Sequence, residues 1–63
     1  MKYFQRKRVE IRLRLAQIDC QEGKYTSALL QIAKGFHLYE KINDENLLNE
    51  LRIMERQINE MLN

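Results

Sequence analysis

Apolar residues along the 63-residue chain recur at helical spacing in three stretches, broken at Gly23 and around Asn43-Asp44. The third stretch has the sharpest pattern. Leu47, Leu51, Met54, Ile58 and Met61 follow one another at steps of 4, 3, 4 and 3, the spacing of a heptad seam. It predicts a helix over about 45–62. Asn43 and Asp44 are placed to cap it by accepting hydrogen bonds from its first backbone N–H groups, and Glu45 sits against the positive end of its dipole. The middle stretch sets Tyr25, Leu29, Ile32, Phe36 and Tyr39 on one stripe flanked by Ala28 and Ala33, which predicts a helix from Tyr25 to about Lys41.

The first stretch, about 3–22, contains two interleaved ladders: Ile11, Leu15, Ile18, and Val9, Leu13, Ala16, Cys20. Taken together they describe a wide apolar face touching two neighbours. Between Val9 and Leu15 the apolar residues also alternate with Glu10, Arg12 and Arg14, as in a strand. Helix is the stronger reading: Leu, Arg, Glu and Gln are good helix formers, and no second strand candidate exists for pairing. Gly23 then closes this helix, since it reaches positive φ without penalty. The expected fold is all-α: one small domain over 1–63, an antiparallel helical hairpin with a third helix packed alongside.

The run Leu15-Ala16-Gln17-Ile18-Asp19-Cys20-Gln21-Glu22-Gly23-Lys24-Tyr25-Thr26-Ser27-Ala28-Leu29 resembles the tetratricopeptide repeat. In that family Leu-Ala or Leu-Gly in the first helix precedes a Gly-x-Tyr-x-x-Ala-Leu turn and second helix. Ala16, Gly23, Tyr25 and Ala28 take the corresponding places, and Gly35 takes that of the small residue late in the repeat. Arg12 and Asp19 stand where the family carries aromatics, and Glu40 stands where a Pro often ends the repeat. The resemblance covers about residues 9–42, one repeat, with 45–62 as a capping helix. Gly23, Tyr25, Ala28 and Leu29 are also similar to a run in the microtubule interacting and trafficking domain, a three-helix bundle. Either resemblance implies a protein-binding role; peptide-responsive bacterial regulators and secretion chaperones contain repeats of the first kind. Small residues at Ala16, Ala28 and Gly35 let the hairpin helices approach closely. Gln31 is expected on the surface.

Charge adds an asymmetry. Residues 1–14 carry Lys2, Arg6, Lys7, Arg8, Arg12 and Arg14 against Glu10, a net +5, whereas residues 40–63 sum to −3. The cluster Arg6, Lys7, Arg8, Arg12 and Arg14, with Tyr3 and Phe4 beside it, supplies possible contacts to an anionic partner. On a helix these cations point several ways, so no single recognition face forms, and nucleic-acid association is the alternative function. No charge-free run approaches the roughly 20 residues of a membrane span, and no signal-peptide pattern follows the basic residues. A lone Cys suits a reduced, cytoplasmic setting.

Candidate chemistry is sparse. Cys20 falls on an apolar ladder and reads as a structural thiol. His37 reads as a partly exposed surface histidine, and the two together cannot supply the four ligands of structural zinc. No Gly-rich phosphate loop is present. The sequence therefore carries no expected catalytic residue, metal or cofactor. What remains is a non-catalytic protein–protein interaction module, a small regulator, adaptor or chaperone-like subunit. A 63-residue chain covers little of its own apolar surface, so a homodimer or a complex with a helical partner is expected. Its expected interface is the Leu47, Leu51, Met54, Ile58 and Met61 seam, with Arg6, Arg8 and Arg12 near Glu50, Glu55 or Glu60 of another copy.

Overall fold

The computed structural model of the chain describes residues 2–40 and 42–63, with side chains from Phe4 onward. Lys2 and Tyr3 of the basic segment, and Lys41 at the expected end of the second helix, therefore fall outside the described side chains. The described residues form three helices: α1 (Lys2–Gln21), α2 (Tyr25–Tyr39) and α3 (Glu45–Leu62). The alternating Val9–Leu15 segment is helical throughout.

Gly23 ends α1 as its chemistry requires. Its φ of 76° is the one positive φ among the described residues, and it lets the chain close a double C-cap. The Lys24 amide donates to the Asp19 carbonyl at 2.7 Å and the Gly23 amide to the Cys20 carbonyl at 3.0 Å, so two otherwise orphaned carbonyls are satisfied. The Ser27 hydroxyl, in the first turn of α2, donates to the Asp19 carboxylate at 2.8 Å. The α1 end and the α2 start are thus tied on both backbone and side chain.

The second reversal is built around Tyr39 and Asp44. The Ile42 amide turns back to the Tyr39 carbonyl at 2.9 Å, and α2 stops at Tyr39, short of its expected end near 41. The Tyr39 hydroxyl donates to the Asp44 carbonyl at 3.0 Å and accepts from the Asp44 amide at 3.2 Å. Asp44, rather than Asn43, is the N-cap of α3: it is extended (φ −134°, ψ 99°) and its Oδ1 accepts from the Leu47 amide at 3.2 Å. Its Oδ2 meets the Arg6 guanidinium of α1 at 2.7 Å. Asp44 therefore joins all three helices, α1 and α3 through its carboxylate and α2 through its backbone, with Glu45 favourably placed in the first turn of α3.

The core draws on every helix. Val9, Leu13 and Ala16 of α1, Ala28 and Ile32 of α2, and Leu47, Leu51 and Ile58 of α3 are buried, and Tyr25, Leu29, Phe36 and Tyr39 pack against them from the α2 stripe. α1 and α2 share the most extensive contact, α3 leans mainly on α2, and α3 touches α1 least. Ala16 and Ala28 are fully buried, as close helix approach demands. Gly35 has a different principal neighbour from the one expected: a Cβ built there falls 2.9 Å from Leu51 Cδ2 and 3.7 Å from Arg12 Cβ. Its bare backbone admits α3 first and α1 second.

Three sequence expectations are corrected. The two ladders of α1 do not form one wide face. Val9, Leu13, Ala16 and Cys20 point inward, whereas Ile11, Leu15 and Ile18 are exposed at 57%, 37% and 42%. At 100° per residue the two sets lie on opposite sides of the helix, because residues two apart are turned by about 200°. Gln31 is half-buried and not a plain surface residue, for its Oε1 accepts from Arg12 Nη1 at 2.9 Å. Ala33, read as flanking the stripe, is exposed.

These contacts fix two expected stability results. Gly35→Leu drives a side chain into fully buried Leu51 and should cost about 1–3 kcal/mol by overpacking, with Ala28→Leu similar; Lys34→Ala on the exposed side should stay within about 0.5 kcal/mol. Asp44→Ala removes the α3 cap together with the Arg6 pair and should cost about 1–2 kcal/mol, while Asp44→Asn keeps a capping oxygen and loses less. Urea titrations followed by circular dichroism check both, and a Gly35→Leu midpoint equal to the parent would refute the α2–α3 packing.

Candidate interaction surfaces

Because α3 rests on α2 and stands off from α1, a groove runs between α1 and α3. Its first part, about 560 Å³, lies over Leu13 and Met54 and is rimmed by Glu10 and Arg14 on one side and Glu50, Ile53 and Gln57 on the other. Gln17, Met54 and Gln57 continue into a second part of about 500 Å³, closed by Cys20, Tyr25 and Met61. The first part is bordered by charges of both signs. The second is lined by sulfur-containing and aromatic side chains, with Glu60 and Gln21 at its edge.

The expected partner seam divides on this geometry. Leu47, Leu51 and Ile58 are 5%, 0% and 0% exposed within a single chain, so they form the intrachain core and reach no partner without opening the bundle. Burying a 4-3-4-3 seam against the hairpin satisfies its apolar demand without a second copy. Met54 lies half-buried in the groove and Met61, 60% exposed, stands at its end. Only these two of the five line accessible surface.

The basic cluster is dispersed. Arg6 is held by Asp44, Lys7 lies 3.5 Å from Glu10, and Arg12 donates to Gln31. Arg14 is exposed on the groove rim, while Arg8 is exposed beside Ile11, Leu15 and Leu38 on the opposite side of α1. Arg8 and Arg12 come together beside Ile11, Leu15 and Leu38, with Arg12 tied to Gln31, while Arg6, Lys7 and Arg14 lie elsewhere on α1, so the five do not form one cationic patch. The acidic residues expected to face them in another copy, Glu50, Glu55 and Glu60, lie along α3, with Glu50 and Glu60 on the groove.

Sequence reading missed the groove, since Leu13, Gln17, Ile53 and Gln57 come from two helices whose separation no periodicity encodes. Ile53 carried a signal in being a large apolar residue outside the seam, and it is 56% exposed. His37 is exposed next to Lys34 and Leu38. Cys20 is half-buried in the groove floor, not wholly buried. Burial, and secondarily the Asp19 carboxylate, push its thiol above the ordinary range. Among the described residues no cluster of His, Cys, Asp and Glu is arranged to hold a metal ion, and no helix is long and apolar enough to cross a membrane. Comparison with protein-family models, with curated proteins and with solved structures finds no match.

A raised thiol pKa means less thiolate at a given pH, and the thiolate is the nucleophile. Alkylation of native Cys20 by iodoacetamide near neutral pH should run slower than in the urea-unfolded chain and accelerate only in alkaline solution. Because the folded thiol holds its proton longer than the unfolded one, its contribution to stability is present below the ordinary thiol pKa and fades as pH rises towards the folded value. Equal native and unfolded alkylation rates would contradict this placement.

Proposed function

We propose that the chain is a non-catalytic protein–protein interaction module, a small regulator, adaptor or chaperone-like subunit, whose α1–α3 groove takes a helical or peptide segment. The observation that carries this reading is the groove itself: an elongated trough between two helices, floored by Leu13 and Met54, with Ile53 and Met61 accessible along it. Troughs of this kind seat the apolar face of an amphipathic helix, and flexible thioethers such as Met54 and Met61 adjust to its side chains. Rims carrying Glu10, Arg14, Glu50 and Glu60 supply polar contacts that orient without dominating affinity. The similarity of the Gly23–Leu29 turn to tetratricopeptide repeats points the same way, and a cytoplasmic setting suits the single free thiol. The reading includes no catalytic residue, cofactor or metal.

The alternative, a small nucleic-acid-associated protein, needs its cations together. Arg6 and Arg12 are engaged within the chain and Arg8 and Arg14 lie on different sides of α1, so phosphate contacts along one backbone are few and affinity correspondingly weak and salt-sensitive.

Affinity capture from the source cell separates the two. The parent should retain a protein that Ile53→Glu with Met61→Glu loses, in moderate salt, and neither form should be retained on random duplex. Salt-sensitive duplex binding abolished by Arg8→Gln with Arg14→Gln, and indifferent to Ile53→Glu with Met61→Glu, would overturn the proposal.

A further inference from the structure

The outward face of α1 plays no part in the groove and none in the core. Ile11, Leu15 and Ile18 lie within about 60° of one another around the helix axis, on the side opposite Val9, Leu13 and Ala16, and all three are exposed. Phe4, seven residues before Ile11, extends the same line at 58% exposure, and Leu38 of α2 adjoins Ile11 and Leu15 to broaden it. A domain of this size rarely leaves so continuous an apolar line uncovered.

The charges around this line identify what covers it. Arg8 borders it near the N-terminal end of α1, while Asp19 lies on the same flank near the C-terminal end and Glu22 follows Ile18 by one turn. The opposite flank, with Lys7, Glu10 and Arg14, is mixed in sign. The marked flank thus carries Arg8 and Arg12 in its N-terminal half, Arg12 being tied to Gln31, and Asp19 and Glu22 in its C-terminal half, which makes it self-complementary under a two-fold axis through the middle of the helix. We propose that two copies of the chain pair antiparallel along α1, Ile11 of each packing on Leu15 of the other, with Arg8 of each beside Asp19 and Glu22 of its mate.

Such an isologous contact forms every pair twice. In a helix a long side chain leans towards its own N-terminus, so Arg8 extends past Ile18 of the mate towards Glu22. Among the described residues of one chain the Glu22 side chain pairs with exposed Lys24 at 3.1 Å, an interaction easily exchanged. Asp19 keeps its Ser27 hydrogen bond and still presents charge. A partner of uniform charge would satisfy one end of this face and be repelled at the other. The pairing rests on the reading of the chain as an interaction module, yet it uses a different surface from the groove and places homodimerisation on α1 instead of on the α3 seam.

Sedimentation equilibrium of the whole chain tests it. The parent should sediment as a dimer at micromolar concentration. Ile11→Glu with Leu15→Glu, both already exposed in the single chain, should sediment as a monomer with an unchanged helical circular dichroism spectrum. Arg8→Glu should weaken the dimer about tenfold, since two pairs turn repulsive, while Arg56→Glu, the same charge change on α3, should leave it as it was. A parent that stays monomeric to a few hundred micromolar overturns the proposal. So does a dimer that survives Ile11→Glu with Leu15→Glu, or one weakened equally by Arg56→Glu. Partner capture that still depends on Ile53 and Met61 in those cases leaves the groove reading standing, so the two ideas fail separately.

Discussion

The close approach of α3 to α2 at Gly35 is the constraint from which the rest of the arrangement follows. A single Cβ at that position would meet Leu51 Cδ2 at 2.9 Å, so the bare backbone of Gly35 lets Leu51 seat without shifting. With Leu51 fully buried there, Leu47 and Ile58 are carried into the core on the same stripe. Each such burial contributes roughly 1.5–3 kcal/mol of apolar transfer, a large share of the stability available to so small a chain. Seating α3 on α2 also holds it away from α1, and that separation opens the groove. Core and candidate site are thus two results of one contact.

Polar ties then fix orientation where apolar packing is indifferent. Asp44 caps α3, pairs with Arg6 and is gripped by the Tyr39 hydroxyl, setting the angle at which α3 leaves the second turn. Asp19 and Arg12 act on the hairpin, bonding to Ser27 and Gln31 of α2. The Arg6–Asp44 pair, with its arginine exposed, is worth only about 0–1 kcal/mol as a salt bridge, so Asp44 matters chiefly for its cap and for the three directions it joins.

Much of the fold was legible in the sequence because its signals were local. Gly23 could end a helix by its own conformational freedom, Asp44 could cap one by its own side chain, and the 4-3-4-3 seam needed only its spacing. What the seam would pack against was not local. The same pattern serves an intrachain core and a dimer axis, and Gly35, which spacing alone assigns to the hairpin, has Leu51 of α3 as its nearest neighbour. The doubled ladder of α1 was misjudged for a geometric reason: apolar residues at Val9, Ile11, Leu13 and Leu15 are two apart, and a helix turns such neighbours to opposite sides. Read with that rotation in mind, alternation within a helix marks an element with one face for its own core and another for something else. The groove lay beyond reading, since its width is set by a separation between helices that share no sequence neighbourhood.

Leu47, Leu51 and Ile58 hold α3 within its own chain. An isotope-filtered nuclear Overhauser experiment on a mixture of labelled and unlabelled chains tests it directly. A strong contact between the Leu51 methyl protons and the Gly35 α-protons should be intramolecular, persist on dilution, and be absent from the filtered spectrum reporting contacts between copies. Appearance of that contact in the filtered spectrum, or its loss on dilution, would show instead that α3 packs on another copy.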